Sequence, residues 1–390
     1  MTAILSIRYY VILGMFFAVM TNCNNIFAQI EPSTNKTQTE SKNNYERWKR
    51  FIYKGRIGFF DANVSVIILS GYDYAQNFRE DYADVKQNYK LGFIDKTGKE
   101  VIPYKSTSFK IFQDGIACVH DHNKMKYGFI DKKGKEITPL KYDSASYYVE
   151  DLACVESGNK WGFIDKTGKE IIPLKYDGAI FFSEGLAAVQ LNDKWGFIDK
   201  TGKVIIPLKY ENTTYGFSEG LAAVQLNDKW GFVDKTGKVI IPLRYDTATC
   251  FAPKSGLASV ELDGKQGFID KTGKEIIPFK YNNTSPFIEG LAAVQLSGKW
   301  GFIDETGKEI IPFKYENAIF FSEGLAAVQL NDKWGFIDKT GKEIIPFKYK
   351  YVSIFYKGLA QVMLIDDKGD EVSFRHIGKK GEEIEVSFGD

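Results

Sequence analysis

The chain has 390 residues, 44% hydrophobic and 26% charged, and its 51 basic and 50 acidic residues leave a formal charge of +1. That length admits two or more ordinary domains. The near-zero balance excludes the broadly basic surface with which proteins neutralise nucleic-acid phosphates, leaving room only for local patches.

Arg8 is the only charge in residues 1–28, so the remainder sums to +1 − 1 = 0. It precedes the uncharged apolar run Val11–Met20, and Ile26-Phe27-Ala28 offers a small residue for cleavage before Gln29. Such a run is short for a membrane-crossing helix and has the pattern of a secretory signal. Residues 1–28 are therefore expected to be a signal peptide, and the protein to be exported: periplasmic, on the outer surface or secreted. Two alternatives stand beside cleavage after Ala28. One is an uncleaved anchor. The other is lipidation at Cys23 in Met20-Thr21-Asn22-Cys23, as in a bacterial lipoprotein, although Asn22 is bulky for the position before an acylated cysteine. Either would be the only route to a membrane. Residues 29–44 are polar, with no large apolar group after Ile30, and read as a flexible linker.

From residue 45 to 390 the chain repeats itself. A central glycine recurs at Gly58, Gly92, Gly128, Gly162, Gly196, Gly231, Gly267, Gly301 and Gly335, in steps of 34 to 36 residues. A worn tenth copy lies at Phe374 to Ile384, and the first copy is also degenerate. Such a period is the mark of a repeat architecture. In one clean unit Leu186–Leu191 is an apolar run of strand length, and Asn192-Asp193 leads to Lys194-Trp195-Gly196-Phe197-Ile198. Asn-Asp here, and Asp263-Gly264 or Ser297-Gly298 in other copies, predict a two-residue hairpin turn with positive φ at both positions. Asp199-Lys200-Thr201-Gly202 predicts a second turn, with Asp capping backbone amides and Gly closing it. A third strand, Lys203–Ile206, ends at Pro207, a residue suited to an edge, a bulge or a strand end. The reading is all-β: about ten three-stranded antiparallel units of roughly 34 residues. One unit buries too few apolar side chains to offset the ordering of its own backbone, so neighbours must share cores. An open, solenoid-like superhelical array is expected, because ten copies exceed the 4–8 blades typical of one β-propeller. A propeller is the alternative.

Lys194-Trp195-Gly196-Phe197-Ile198-Asp199-Lys200-Thr201-Gly202-Lys203, with Ile205-Ile206-Pro207-Leu208-Lys209-Tyr210 and Phe217-Ser218-Glu219-Gly220-Leu221-Ala222, closely resembles the WG repeat, also called the KWG repeat, found largely in bacterial proteins. The resemblance covers about residues 50–390. It implies a repeat scaffold, often exported, generally without an assigned activity and without functional residues to carry over. Ile57, Leu91, Tyr127 and Gln266 replace the signature Trp in four copies, and Phe374 in the worn tenth, a scatter that suits packing.

Candidate chemistry is sparse. The recurring aspartates, such as Asp165 and Asp199, are explained as turn caps, and the Lys beside each opposes calcium binding. His120-Asp121-His122 falls in an insertion and reads as an exposed loop, because a zinc site needs three or four protein ligands and no partner is evident. Cys118 and Cys154 share a slot that is mostly Ala elsewhere, which favours small buried side chains over a disulfide. No nucleophile or phosphate-loop motif appears. The expectation is a non-enzymatic scaffold without cofactor or metal, binding a protein or glycan of the cell envelope. A purely structural envelope component is the alternative, and an enzyme with a composite site in residues 351–390 a more distant one. The segment before each Gly-Leu-Ala differs most between copies. Its aromatics Tyr147, Tyr148, Phe181, Phe182, Tyr215, Phe217, Phe287, Phe320 and Phe321 are the candidate interaction residues, since aromatic side chains are favoured at binding hot spots. The competing role, and the favoured one, is to seal the core between neighbouring units.

Overall fold

The computed structural model describes residues 49–384, apart from short stretches within 54–123 and at 357 and 366–370. The expected signal, linker and Cys23 lie outside the described residues.

One unit shows how the sequence builds the repeat. Its strands are β1 (Gly178–Ala179), β2 (Leu186–Leu191), β3 (Lys194–Asp199) and β4 (Val204–Tyr210). They form one antiparallel sheet in the order β1-β2-β3-β4. Asn192 and Asp193 have φ of 52° and 59°, as the β2–β3 hairpin requires. At the next turn the Gly202 amide donates to the Asp199 carbonyl at 2.9 Å. The sheet has four strands where three were expected. The connecting segment adds β1, pairing Gly178 with Gln190 and Ala179 with Val189. The ladder extends on either side, from the Asp177 amide to the Gln190 carbonyl at 2.8 Å and from the Ile180 amide to the Ala188 carbonyl at 2.9 Å.

Both faces of this sheet are buried, which is why β2 reads as an unbroken apolar run rather than an alternating one. Ala187, Val189 and Ile198 pack backwards on Cys154, Phe163 and Ile172 of the preceding sheet. Leu186, Ala188, Phe197 and Ile206 pack forwards on Ala222, Val224 and Val233 of the following one. The same arrangement recurs along the chain, and among the described residues no core joins sheets further apart than neighbours. The array is thus a linear succession of stacked sheets. At its end the fourth strand of one unit runs on as Glu343–Val352 and pairs with Leu359–Ile365, so the last two units share one seven-stranded sheet.

Candidate interaction surface

The signature glycine is set by a close approach within the sheet rather than by a turn. β3 pairs with β4 at Trp195–Tyr210 and Phe197–Ile206, so the stretch Pro207-Leu208-Lys209 bulges out of register. That bulge folds over Gly196, where a Cβ would lie 2.6 Å from the Ile206 carbonyl oxygen and 2.7 Å from the Leu208 amide nitrogen. Pro207 therefore stands exposed in the bulge of an edge strand.

The turn aspartates are occupied as caps. Asp199 Oδ1 accepts from the Thr201 hydroxyl at 2.6 Å and from the amides of Thr201 and Lys203 at 2.9 and 3.1 Å. The Thr201 hydroxyl, opposed by burial and helped by the amides, holds this carboxyl below the usual carboxylate range.

The nine candidate aromatics divide. Tyr148, Phe182, Phe217, Phe287, Phe320 and Phe321 are buried. Phe182 meets Phe163 of the preceding unit edge-on at 5.0 Å, Phe217 meets Phe197 at 5.0 Å, and Phe321 meets Phe302 at 5.0 Å. Tyr148 meets Phe129 in the same way. These rings close the core between units, so they are not presented to a partner. Tyr147, Phe181 and Tyr215 are half-buried and retain some exposed surface. The segment also ties units together through polar groups. Ser183 Oγ donates to the Phe217 carbonyl at 2.7 Å. Glu184 accepts from the Gly220 amide at 3.2 Å and pairs with Lys235 at 2.9 Å. The same clasp links Glu150 to Gly185 and Lys200, Glu289 to Gly324 and Lys339, and Glu323 to Gly358 and Lys379.

His120 departs from the exposed loop expected of it. The β-hairpin extends through Lys126–Asp121, so His120 lies in a strand, 7% exposed and stacked on Tyr127 at 4.2 Å. His122 is outside the described residues. Among the described residues no group of three or more His, Cys, Asp or Glu is placed to hold a metal ion. Cys118 and Cys154 are separate buried thiols in different cores, and burial pushes the Cys154 thiol up.

Each unit leaves most of its exposed charge in the turns, here at Asp193, Lys194, Lys200 and Lys203, and one cation on β4. Lys209 lies over the ring of Tyr210, 5.2 Å from its centroid, and an equivalent cation sits over the equivalent ring in seven units from Lys141–Tyr142 to Lys348–Tyr349.

Comparison with known proteins finds the WG containing repeat in nine consecutive matches, at residues 57–90, 92–124, 127–161, 161–195, 195–230, 230–265, 267–300, 300–334 and 334–368. No curated protein matches the sequence. Among solved structures the chain is similar to a eukaryotic initiation factor, with 8% identity, covering 87% of this chain and 95% of that one at a TM-score of 0.47. It is also similar to PorZ, a surface component of the type-IX secretion system of Porphyromonas gingivalis, with 9% identity, 85% and 57% coverage and a TM-score of 0.27. A third is Hsv2 of Kluyveromyces lactis, with 10% identity, 76% and 95% coverage and a TM-score of 0.35. All three TM-scores are below 0.5, and these likenesses carry no argument about what the chain does.

Proposed function

The chain belongs to the WG-repeat family, and from that premise we propose that it is a non-enzymatic, exported scaffold that presents an extended, repeated β surface to a protein or glycan of the bacterial cell envelope. The observation that carries this reading is equivalence. Successive units offer the same groups in the same setting, from the capped aspartate to the cation over the tyrosine. A repeated surface suits a long partner held at many weak points, whereas catalysis needs one distinctive constellation. Export is supported by Arg8, the apolar run Val11–Met20 and the small residue Ala28.

Deletion of whole units tests the reading. Removing residues 196–230 joins Trp195 to Gly231 and leaves the motif continuous, and removing 196–266 joins Trp195 to Gly267 and takes out two units. Capture of an envelope component by the mature chain should weaken stepwise across this series. An all-or-none loss tied to one unit would point to a singular site and sink the proposal.

A further inference from the structure

Two sets of cations stand out in the array, beside others such as Lys194, Lys203 and Lys238 that also form no ion pair among the described residues. In one, each lysine has an acidic partner: Lys160 with Asp177, Lys229 with Asp246, Lys235 with Glu184 and Lys271 with Glu219. In the other, the cation over the buried tyrosine of each unit is exposed and, among the described residues, forms no ion pair, as at Lys175, Lys209, Arg244, Lys280, Lys314 and Lys348. Where an acid follows the tyrosine it is engaged elsewhere, and Asn282 and Lys350 stand there after Tyr281 and Tyr349. Asp177 is held by Lys160 and the Asn192 amide, Glu211 accepts from the Asp228 amide, Asp246 is held by Lys229, and Glu316 accepts from the amides of Asn331 and Asp332.

Counted from the lysine just before it, the fourth strand is net positive in every clean unit, although Glu170 and Lys175 cancel within Glu170–Tyr176 itself. Lys169, Glu170 and Lys175 give 1 − 1 + 1 = +1. Val204 and Val239 replace the acid in two central units, so Lys203 with Lys209, and Lys238 with Arg244, each give 1 + 1 = +2. A chain that is neutral overall thus gathers positive charge along one edge of each sheet, most strongly at the two central units where valine replaces the acid. Beside each cation stands an exposed proline, two residues earlier at Pro173, Pro207, Pro242 and onwards.

We propose, resting on the scaffold reading above, that this row is a track for a linear acidic polysaccharide. Sheets packed face to face lie about 10 Å apart, so the cations recur at about that interval. A polymer with one carboxylate or sulfate on every second sugar has charges at a comparable interval, and the prolines give its rings an apolar surface between charged contacts. Nucleic acid fits less well. A duplex presents one phosphate per strand for about every 3.4 Å of its axis, so most would go unmatched. Each contact is exposed and weak, and affinity comes from engaging several at once.

The test is titration of the full chain with hyaluronate oligosaccharides, which carry one carboxylate per disaccharide, at 20 and 500 mM NaCl. Neutral chitin oligosaccharides and poly-dT are the comparison ligands. Hyaluronate should bind at low salt, more tightly as the oligosaccharide lengthens, and should release at high salt. Each of Lys209→Gln, Arg244→Gln and Lys280→Gln should weaken binding by about two- to fivefold, and the triple variant by about 10- to 100-fold. The ion-paired controls Lys160→Gln and Lys229→Gln should leave it unchanged, with circular dichroism confirming that every variant folds. Absence of hyaluronate binding at 20 mM NaCl, indifference to the triple variant, or tighter binding of poly-dT would each overturn the track. An envelope component captured equally by wild type and triple variant would overturn it too, while leaving the scaffold reading standing.

Discussion

A methyl group on Gly231 would come within 2.6 Å of the Ile241 carbonyl oxygen and 2.7 Å of the Leu243 amide nitrogen. Both obstacles are backbone in the bulged strand, so neither can rotate away. Gly231→Ala is expected to cost about 3 kcal/mol, the upper end of ordinary overpacking. At Gly220 the reason for glycine is different: φ is +84° and nothing lies within 4 Å of a Cβ. Gly220→Asn should cost less than about 1 kcal/mol, since Asn tolerates the left-handed region. Urea midpoints of the two variants decide the matter, and a larger loss at Gly220 would refute the close-approach explanation. The turn aspartates make a second prediction at this scale. Threonine hydroxyls, with help from backbone amides and against a smaller opposing effect of burial, hold Asp199, Asp234, Asp270, Asp304 and Asp338 below the ordinary carboxylate range. A depressed folded pKa contributes stability above the unfolded value of about 3.9, and that stability is lost as pH falls through the folded values. Replacing Asp199, Asp234 and Asp270 by Asn should lower stability at pH 7 and flatten the acid limb below about pH 4. An acid limb unchanged in slope would mean that other carboxylates dominate it.

At the level of the strand and its connection, neighbouring aromatics have opposite duties. Phe182 is 0% exposed and packs on Phe163, whereas Phe181 next to it is half-buried. Phe182→Ala should cost about 3–5 kcal/mol, and Phe181→Ala no more than about 1–2 kcal/mol. Because the array opens in parts, hydrogen exchange in Leu152–Ser157 and Leu186–Leu191 is the appropriate readout. Equal deprotection in the two variants would show that the connection does not seal the core through Phe182 alone. The turns and the period were legible in the sequence because Asn-Asp and Asp-x-x-Gly act through local backbone geometry. Gly178–Ala179 was not legible as a strand, since two small residues carry no periodicity and their pairing depends on Val189 and Gln190 twelve residues on or less. The need for Gly196 was equally hidden, because it arises from a bulge in the partner strand. Phe181 and Phe182 are alike in composition, so only the packing of the preceding sheet decides which one turns inward. His120 was misread because an insertion suggests a longer loop, whereas here it lengthens the hairpin.

Across the whole array, the last sheet departs from the rule that both faces are apolar. Interior units set Ala188 opposite Phe197 on the face that receives the next sheet. In the last sheet the corresponding pair is Gln361 opposite His376, both partly exposed, while Ala360, Val362 and Ile377 on the other face stay buried. A polar pair at this place opposes the packing of a further sheet against this face. Restoring the interior chemistry with Gln361→Ala and His376→Phe should promote association through this end, seen as mass rising with concentration in sedimentation velocity. A variant that stays at the wild-type mass up to high concentration would show that the polar pair is not what stops the stack. Among the described residues the array is built from one junction used again and again, each core joining a sheet to its neighbour. Gain or loss of one whole period would leave every remaining junction of the same kind, so the length of such an array can change in discrete steps without a new contact.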